Sequence, residues 1–217
     1  MLVFYFKNLS MMKYSFLTAL LVLCSFLNAY AQSFEEALLA YREGLKLAFI
    51  TAEKSPLAAE DTSKLVFFKP NKDFVIEAKV SRIKRGEIMP FNTSSNKVKY
   101  YKPFAKLDFV LDGEKQSLIV YEAQQLKKKK AYKNYLFLPF YDLTNYEETY
   151  GMGRYLDLDK RNIKDGVIIV DFNKAYNPYC AYKGGYSCPI PPKENTITKP
   201  IYAGEKTFPH PELEIAD

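Results

Sequence analysis

Between Asp171 and Asn195 the chain gathers carboxylates, amides, tyrosine hydroxyls and two thiols among prolines that fix its backbone. Asp171-Phe172-Asn173 leads through Ala175-Tyr176-Asn177-Pro178-Tyr179-Cys180-Ala181-Tyr182 to Cys188-Pro189, Pro191-Pro192 and Glu194-Asn195. That inventory suits a shaped polar site better than a generic core. The residues expected to contact a small polar or glycan-like ligand are Arg154, Tyr155, Asp157, Asp171, Asn173, Tyr176, Asn177, Glu194 and Asn195. Each also has a purely structural alternative, because irregular backbone beside a core needs internal hydrogen-bond partners and side-chain amides supply them. Tyr176, Tyr179, Tyr182 and Tyr186 can line a pocket or cover the sheet with their hydroxyls in water.

Arg154 shares a strand face with Leu156 and Leu158 by alternation, so its guanidinium points toward the core and requires an anion. Pairing Leu158 with Val167 across the loop from Asp159 to Gly166 predicts Asp171 as that anion, bound in a planar two-bond arrangement. A structural ion pair and a ligand-binding arginine are the two readings.

Cys180 and Cys188 are the cysteines that remain once a leader is removed, and across a short loop their simplest state is a disulfide. A reactive thiol and a metal ligand stay open as alternatives. The metal alternative is weak because the one histidine, His210, lies in a proline-flanked tail. No metal and no cofactor is expected. The same histidine count argues against Ser-His-Asp or Cys-His catalysis, whereas carboxylate chemistry by Asp157, Asp171 or Glu194 stays open. Gly151-Met152-Gly153-Arg154 is too short for a phosphate loop and reads as a turn.

The elements that must position these residues follow from periodicity. Ser33 can cap a helix with Phe34, Leu38, Tyr41, Leu45 and Phe49 on one face, within an N-terminal segment of residues 32–54. Ser55-Pro56 predicts a short second helix before Lys64. From Phe74 the period changes to two, with Phe74, Ile76, Ala78 and Val80 on the inner face of a strand. Asp112-Gly113 marks a hairpin tip that places Leu107, Phe109, Leu111, Leu118 and Val120 on one buried face. Tyr135 to Phe140 and Val167 to Val170 read as strands covered on both sides. With further strands near Val98, Leu156 and Ile201, the expectation is a mainly β fold, α+β at the margin. It is an antiparallel β-barrel or sandwich of about eight or nine strands with one or two N-terminal helices. Residues 55–217 are expected to form a single β-rich domain.

Residues 1–31 read as an export signal: Lys7 and Lys13 precede an apolar run from Tyr14 to Leu27, and Ala29-Tyr30-Ala31 fits a signal-peptidase site before Gln32. About fourteen apolar residues are short for a membrane span. A lipid anchor at Cys24 is disfavoured because Leu23 occupies the position where a small residue is expected. Removing the leader leaves 186 residues (217 minus 31) and lowers the formal charge from +6 to +4, since it carries two lysines and no acids. That mild excess is weak support for nucleic-acid binding, export weakens it further, and no nucleic-acid partner is expected. The tetralysine Lys127 to Lys130 reads as a solvated loop rather than an anionic partner site. The expected location is periplasmic or secreted, with no membrane span after signal removal.

A set of residues also carries a family likeness: Thr149-Tyr150-Gly151, Gly153-Arg154-Tyr155-Leu156, Asp171-Phe172-Asn173, Asn177-Pro178, Cys180-Ala181-Tyr182, Cys188-Pro189, Pro191-Pro192, Glu194-Asn195 and Ala203-Gly204-Glu205. Together they resemble the DUF1684 family, from about Ser55 to Lys206. The resemblance implies a grouping and no activity, since none is attached to the family. Tyr146 and Met152 depart from it, standing where relatives often carry glycine. The function expected is therefore binding of a small polar or glycan-like ligand beside the Arg154 to Asn195 segment. An envelope hydrolase and a structural or interaction module are the competing classes.

Overall fold

The computed structural model describes residues 33–95 and 97–209. The expected export signal, Cys24 and His210 lie outside the described residues. The chain divides into two units, one ending at Glu43 and one starting at Gly44. A helix, α1, runs over residues 33–51. Leu38 and Phe49 are buried on it and Phe34, Tyr41 and Leu45 are half-buried, so the four-residue stripe is the covered face. In the second unit, Phe49 packs edge-on to Tyr182 at 5.2 Å within a cluster that includes Leu57, Leu65 and Phe208. Among the described residues no helix is long and apolar enough to cross a membrane.

The fold is mainly β: seven antiparallel strands in one curled sheet. They are β1 (Val75–Arg82), β2 (Met89–Asn92), β3 (Val98–Leu111), β4 (Glu114–Ala123), β5 (Tyr135–Phe140), β6 (Arg154–Asp159) and β7 (Val167–Asp171). Their order is β6-β5-β4-β3-β1-β7, with β2 added beside β3. The curl stops short of a closed barrel, because β6 and β7 end the sheet on opposite sides and do not pair. Seven strands stand in place of the eight or nine expected. The Ile201 segment is extended but forms only isolated bridges, such as Phe67 with Glu205, because side chains satisfy much of its backbone. The expected second helix is likewise reduced. Ser55 accepts from the Leu57 amide as a cap would, yet helical turns begin only at Glu60–Lys64 and are 3-10.

The β3–β4 hairpin closes through Asp112 and Gly113, whose φ values of 48° and 75° match a two-residue turn that follows the sheet twist. Its register sets Leu107 opposite Leu118, and Phe109 and Leu111 are buried on the same face. Each such side chain, fully buried, contributes roughly 1.5–3 kcal/mol. Alternation then gives the sheet two unlike faces. One carries Leu118, Val120, Leu136, Leu138 and Leu156 in the main core, which also takes Ile197, Ile201 and Ala203 from the C-terminal segment. The other carries Phe91, Tyr101, Tyr121, Phe137 and Tyr155, with Tyr135 and Tyr176 at its margin.

Candidate functional site

Arg154 begins β6 on the core face and is completely buried. Its partner is not Asp171. Strand β6 pairs with β5, setting Arg154 opposite Phe140, while Asp171 ends β7 opposite Val75 at the other side of the sheet. The loop after Asp159 makes this possible: the 3-10 turn Lys160–Asn162 and the positive-φ pair Asp165-Gly166 redirect the chain, so the expected hairpin does not form. The anion is Asp142, whose Oδ2 lies 2.8 Å from Arg154 Nη2. The guanidinium also donates to the carbonyls of Ile201 (2.9 Å), Ala203 and Glu205 (3.3 Å). Asp142 Oδ1 accepts from the amides of Thr144 and Ile201. One ion pair thus fastens the extended C-terminal segment to the sheet.

Glu205 extends this latch. Its carboxylate is fully buried and accepts from the Tyr182 hydroxyl at 2.7 and 2.8 Å and from the Asn177 amide at 3.0 Å. Desolvation pushes its pKa up to about 7, against the pull of those hydrogen bonds and of Arg154. Burial also lowers Arg154, and Asp142 opposes the shift. Gly204 explains the Ala-Gly-Glu sequence: at φ 80° a Cβ there would sit 2.6 Å from the Ala175 carbonyl oxygen, so only glycine lets the segment cross so close. Before the latch, Tyr146 adopts φ 70°, the left-handed conformation that favours glycine.

The three amides have structural partners. Asn173 accepts from the Asn71 amide and donates to the Asn71 carbonyl, while also bonding Asp171. Asn195 does the work of a missing ladder. Pro139 in β5 has no N–H, β4 and β5 share a single register pair, and the Asn195 carboxamide fills the gap by bonding Ile119 twice and the Pro139 carbonyl. Asn177 donates to the Lys206 carbonyl at 2.7 Å. Cys180 and Cys188 form a disulfide, which removes both thiols from nucleophilic chemistry.

Of the predicted site residues, Tyr155, Asp157 and Tyr176 come together on the aromatic face. Tyr155 is buried, donates to the Pro189 carbonyl and meets Tyr176 edge-on. Asp157 is exposed, and its Oδ1 accepts from both Tyr176 (2.7 Å) and Tyr135 (2.9 Å). Among the described residues nothing donates to Oδ2. Partial desolvation by the packed rings raises the pKa of this carboxylate, and the hydrogen bonds from the two phenols pull it partly back. Burial and the adjoining carboxylate raise the Tyr176 and Tyr135 hydroxyls in turn, so both are protonated donors. Cross-strand register sets Tyr121, Phe137 and Asp157 in one row over β4, β5 and β6. Glu194 is exposed beyond that row, and its charge adds to burial in raising the Tyr121 hydroxyl. Among the described residues no cluster of three or more His, Cys, Asp or Glu side chains is placed to hold a metal ion.

The geometry agrees with a match to the family model "Protein of unknown function (DUF1684)" over residues 61–206, more than half of the 217-residue chain. The chain belongs to the DUF1684 family. Its fold is similar to the solution NMR structure of an uncharacterized protein from Haloarcula marismortui. The two are 33% identical with a TM-score of 0.64, over 82% of this chain and 97% of that one. No curated protein matches the chain. The residues that carry the DUF1684 likeness fall mainly on the latch and the amide clamps, with Asp157 and Tyr135 outside them. Sequence reasoning missed Asp142, Tyr135 and Tyr121. Glu205 carries the family likeness with no role predicted for it, and an acid in an Ala-Gly-Glu crossing is the available signal.

Proposed function

We propose that this DUF1684 member is an exported domain that binds a small polyhydroxyl, glycan-like ligand on its aromatic face, with Asp157 as the anchoring acceptor. The observation that carries this reading is the state of the Asp157 carboxylate. Two protonated phenols hold one oxygen in place, and the other is left for a ligand hydroxyl beside the half-buried rings of Tyr135 and Tyr176. Aromatic rings stack on the apolar faces of sugar rings while a fixed carboxylate accepts from their hydroxyls. The disulfide supports export, since such bonds persist in oxidising compartments, and the apolar leader with its Ala-Tyr-Ala end supports it independently.

A titration of neutral mono- and oligosaccharides followed by amide NMR tests the site. Saturable shifts on β5 and β6 are expected for the wild type. Asp157→Asn should weaken them about tenfold through loss of a charged acceptor, and Tyr176→Phe less. Absence of binding across the panel, or equal affinity in a folded Asp157→Asn variant, would overturn the reading.

A further inference from the structure

A second chemistry-bearing feature lies where β4 hands over to the lysine-rich turns. A cavity of about 240 Å³ is lined there by Glu122, Lys127, Tyr132, Lys133, Tyr135 and Lys160. The 3-10 turns Gln124–Leu126 and Lys130–Tyr132 fold the chain around it before β5 begins. Three ammonium groups against one carboxylate leave the wall with a charge of +2 (three minus one). Lys160 is already engaged, pairing with Glu122 and donating to the Lys133 carbonyl at 3.3 Å. The ammonium groups of Lys127 and Lys133 make no ion pair or hydrogen bond among the described residues. Tyr132 and Tyr135 meet edge to face at 5.6 Å and form the aromatic part of the wall, and the Tyr135 hydroxyl is committed to Asp157. The tetralysine that reads in the sequence as a solvated loop thus contributes one residue to a cavity.

We propose that this cavity binds a small phosphate monoester carried on a ring. A dianion matches the wall charge, whereas a carboxylate or sulfate ester supplies half of it. Free ammonium groups donate to phosphate oxygens as point charges without needing a planar partner. The tyrosine pair gives the ring an apolar surface, and the volume lies below that of drug-sized sites, which limits the ligand to a single ring. The residues that decide binding here are the lysines, so the inference stands apart from the sugar reading of the Asp157 face.

Calorimetric titration at low ionic strength tests it, with phenyl phosphate, phenyl sulfate, inorganic phosphate and phenol as probes. Phenyl phosphate should bind saturably and tightest, inorganic phosphate more weakly, and phenol not at all. Added salt should weaken phenyl phosphate binding, because exposed charges are screened over about 10 Å at 0.1 M. The double variant Lys127→Gln/Lys133→Gln should lose about tenfold or more in affinity with an unchanged thermal midpoint. No saturable signal, equal affinity for phenyl sulfate, or full affinity in the double variant would overturn the proposal.

Discussion

Both faces of one sheet carry an acid held by tyrosine, and they use it in opposite ways. On the core face, Glu205 and Asp142 meet Arg154, Tyr182 and backbone amides, and nearly every donor and acceptor is used inside the protein. On the aromatic face, Asp157 is bound by two phenols at one oxygen only, and the residue is open to water. A carboxylate enclosed on all sides is a fastener, and one fixed on one side only is what the proposed ligand reading requires. The residues that carry the family likeness lie on the fastener more than on the open acid.

The sharpest way to break this contrast is to remove one side of the buried ion pair. Arg154→Met leaves Asp142 charged and unpaired, and should lower unfolding free energy in urea by about 3–5 kcal/mol. Arg154→Met/Asp142→Leu should recover much of that loss. If the single variant is as stable as the wild type, Arg154 is no latch.

Glu205 gives the next effect, and its sign follows from its raised pKa. An acid whose pKa is about 7 when folded and 4.5 when unfolded is destabilising once ionised. Its contribution to stability is complete below pH 4.5 and is lost as pH rises toward 7. Glu205→Gln should remove a slope of roughly 3 kcal/mol over that window, measured as urea midpoints against pH. A slope unchanged in the variant would place the titration elsewhere.

Reducing the Cys180–Cys188 bond opens a short loop and should cost about 2–3 kcal/mol in the chain-entropy account. The expected readout is a lower thermal midpoint with dithiothreitol and no change in the Cys180→Ser/Cys188→Ser double variant. The smallest effect belongs to the open face: Asp157→Asn should change stability by less than about 1 kcal/mol while it weakens sugar binding. A large loss of stability there would make Asp157 a second fastener and erase the contrast.

Local patterns were legible from the residues. The two-residue period found the strands, Asp112-Gly113 found the hairpin, and alternation correctly turned Arg154 inward. The cysteine pair found its bond. What failed was partnership at a distance: Asp171 lies 17 residues after Arg154 and Asp142 lies 12 before it, and spacing alone could not choose between them. The amides stand out by their density, yet Asn173 and Asn195 are clamps, because Pro139 and the irregular chain near Asn71 leave backbone groups to satisfy.

The sequence by itself determined which residues face inward along each strand, since side chains alternate wherever the backbone is extended. It also determined where the β3–β4 hairpin turns, because Asp112-Gly113 tolerates positive φ. Only the tertiary structure decided which acid meets which base and which carboxylate stays open. Those outcomes depend on strand order and on the crossing of the C-terminal segment, and many long-range contacts must form together before either is fixed.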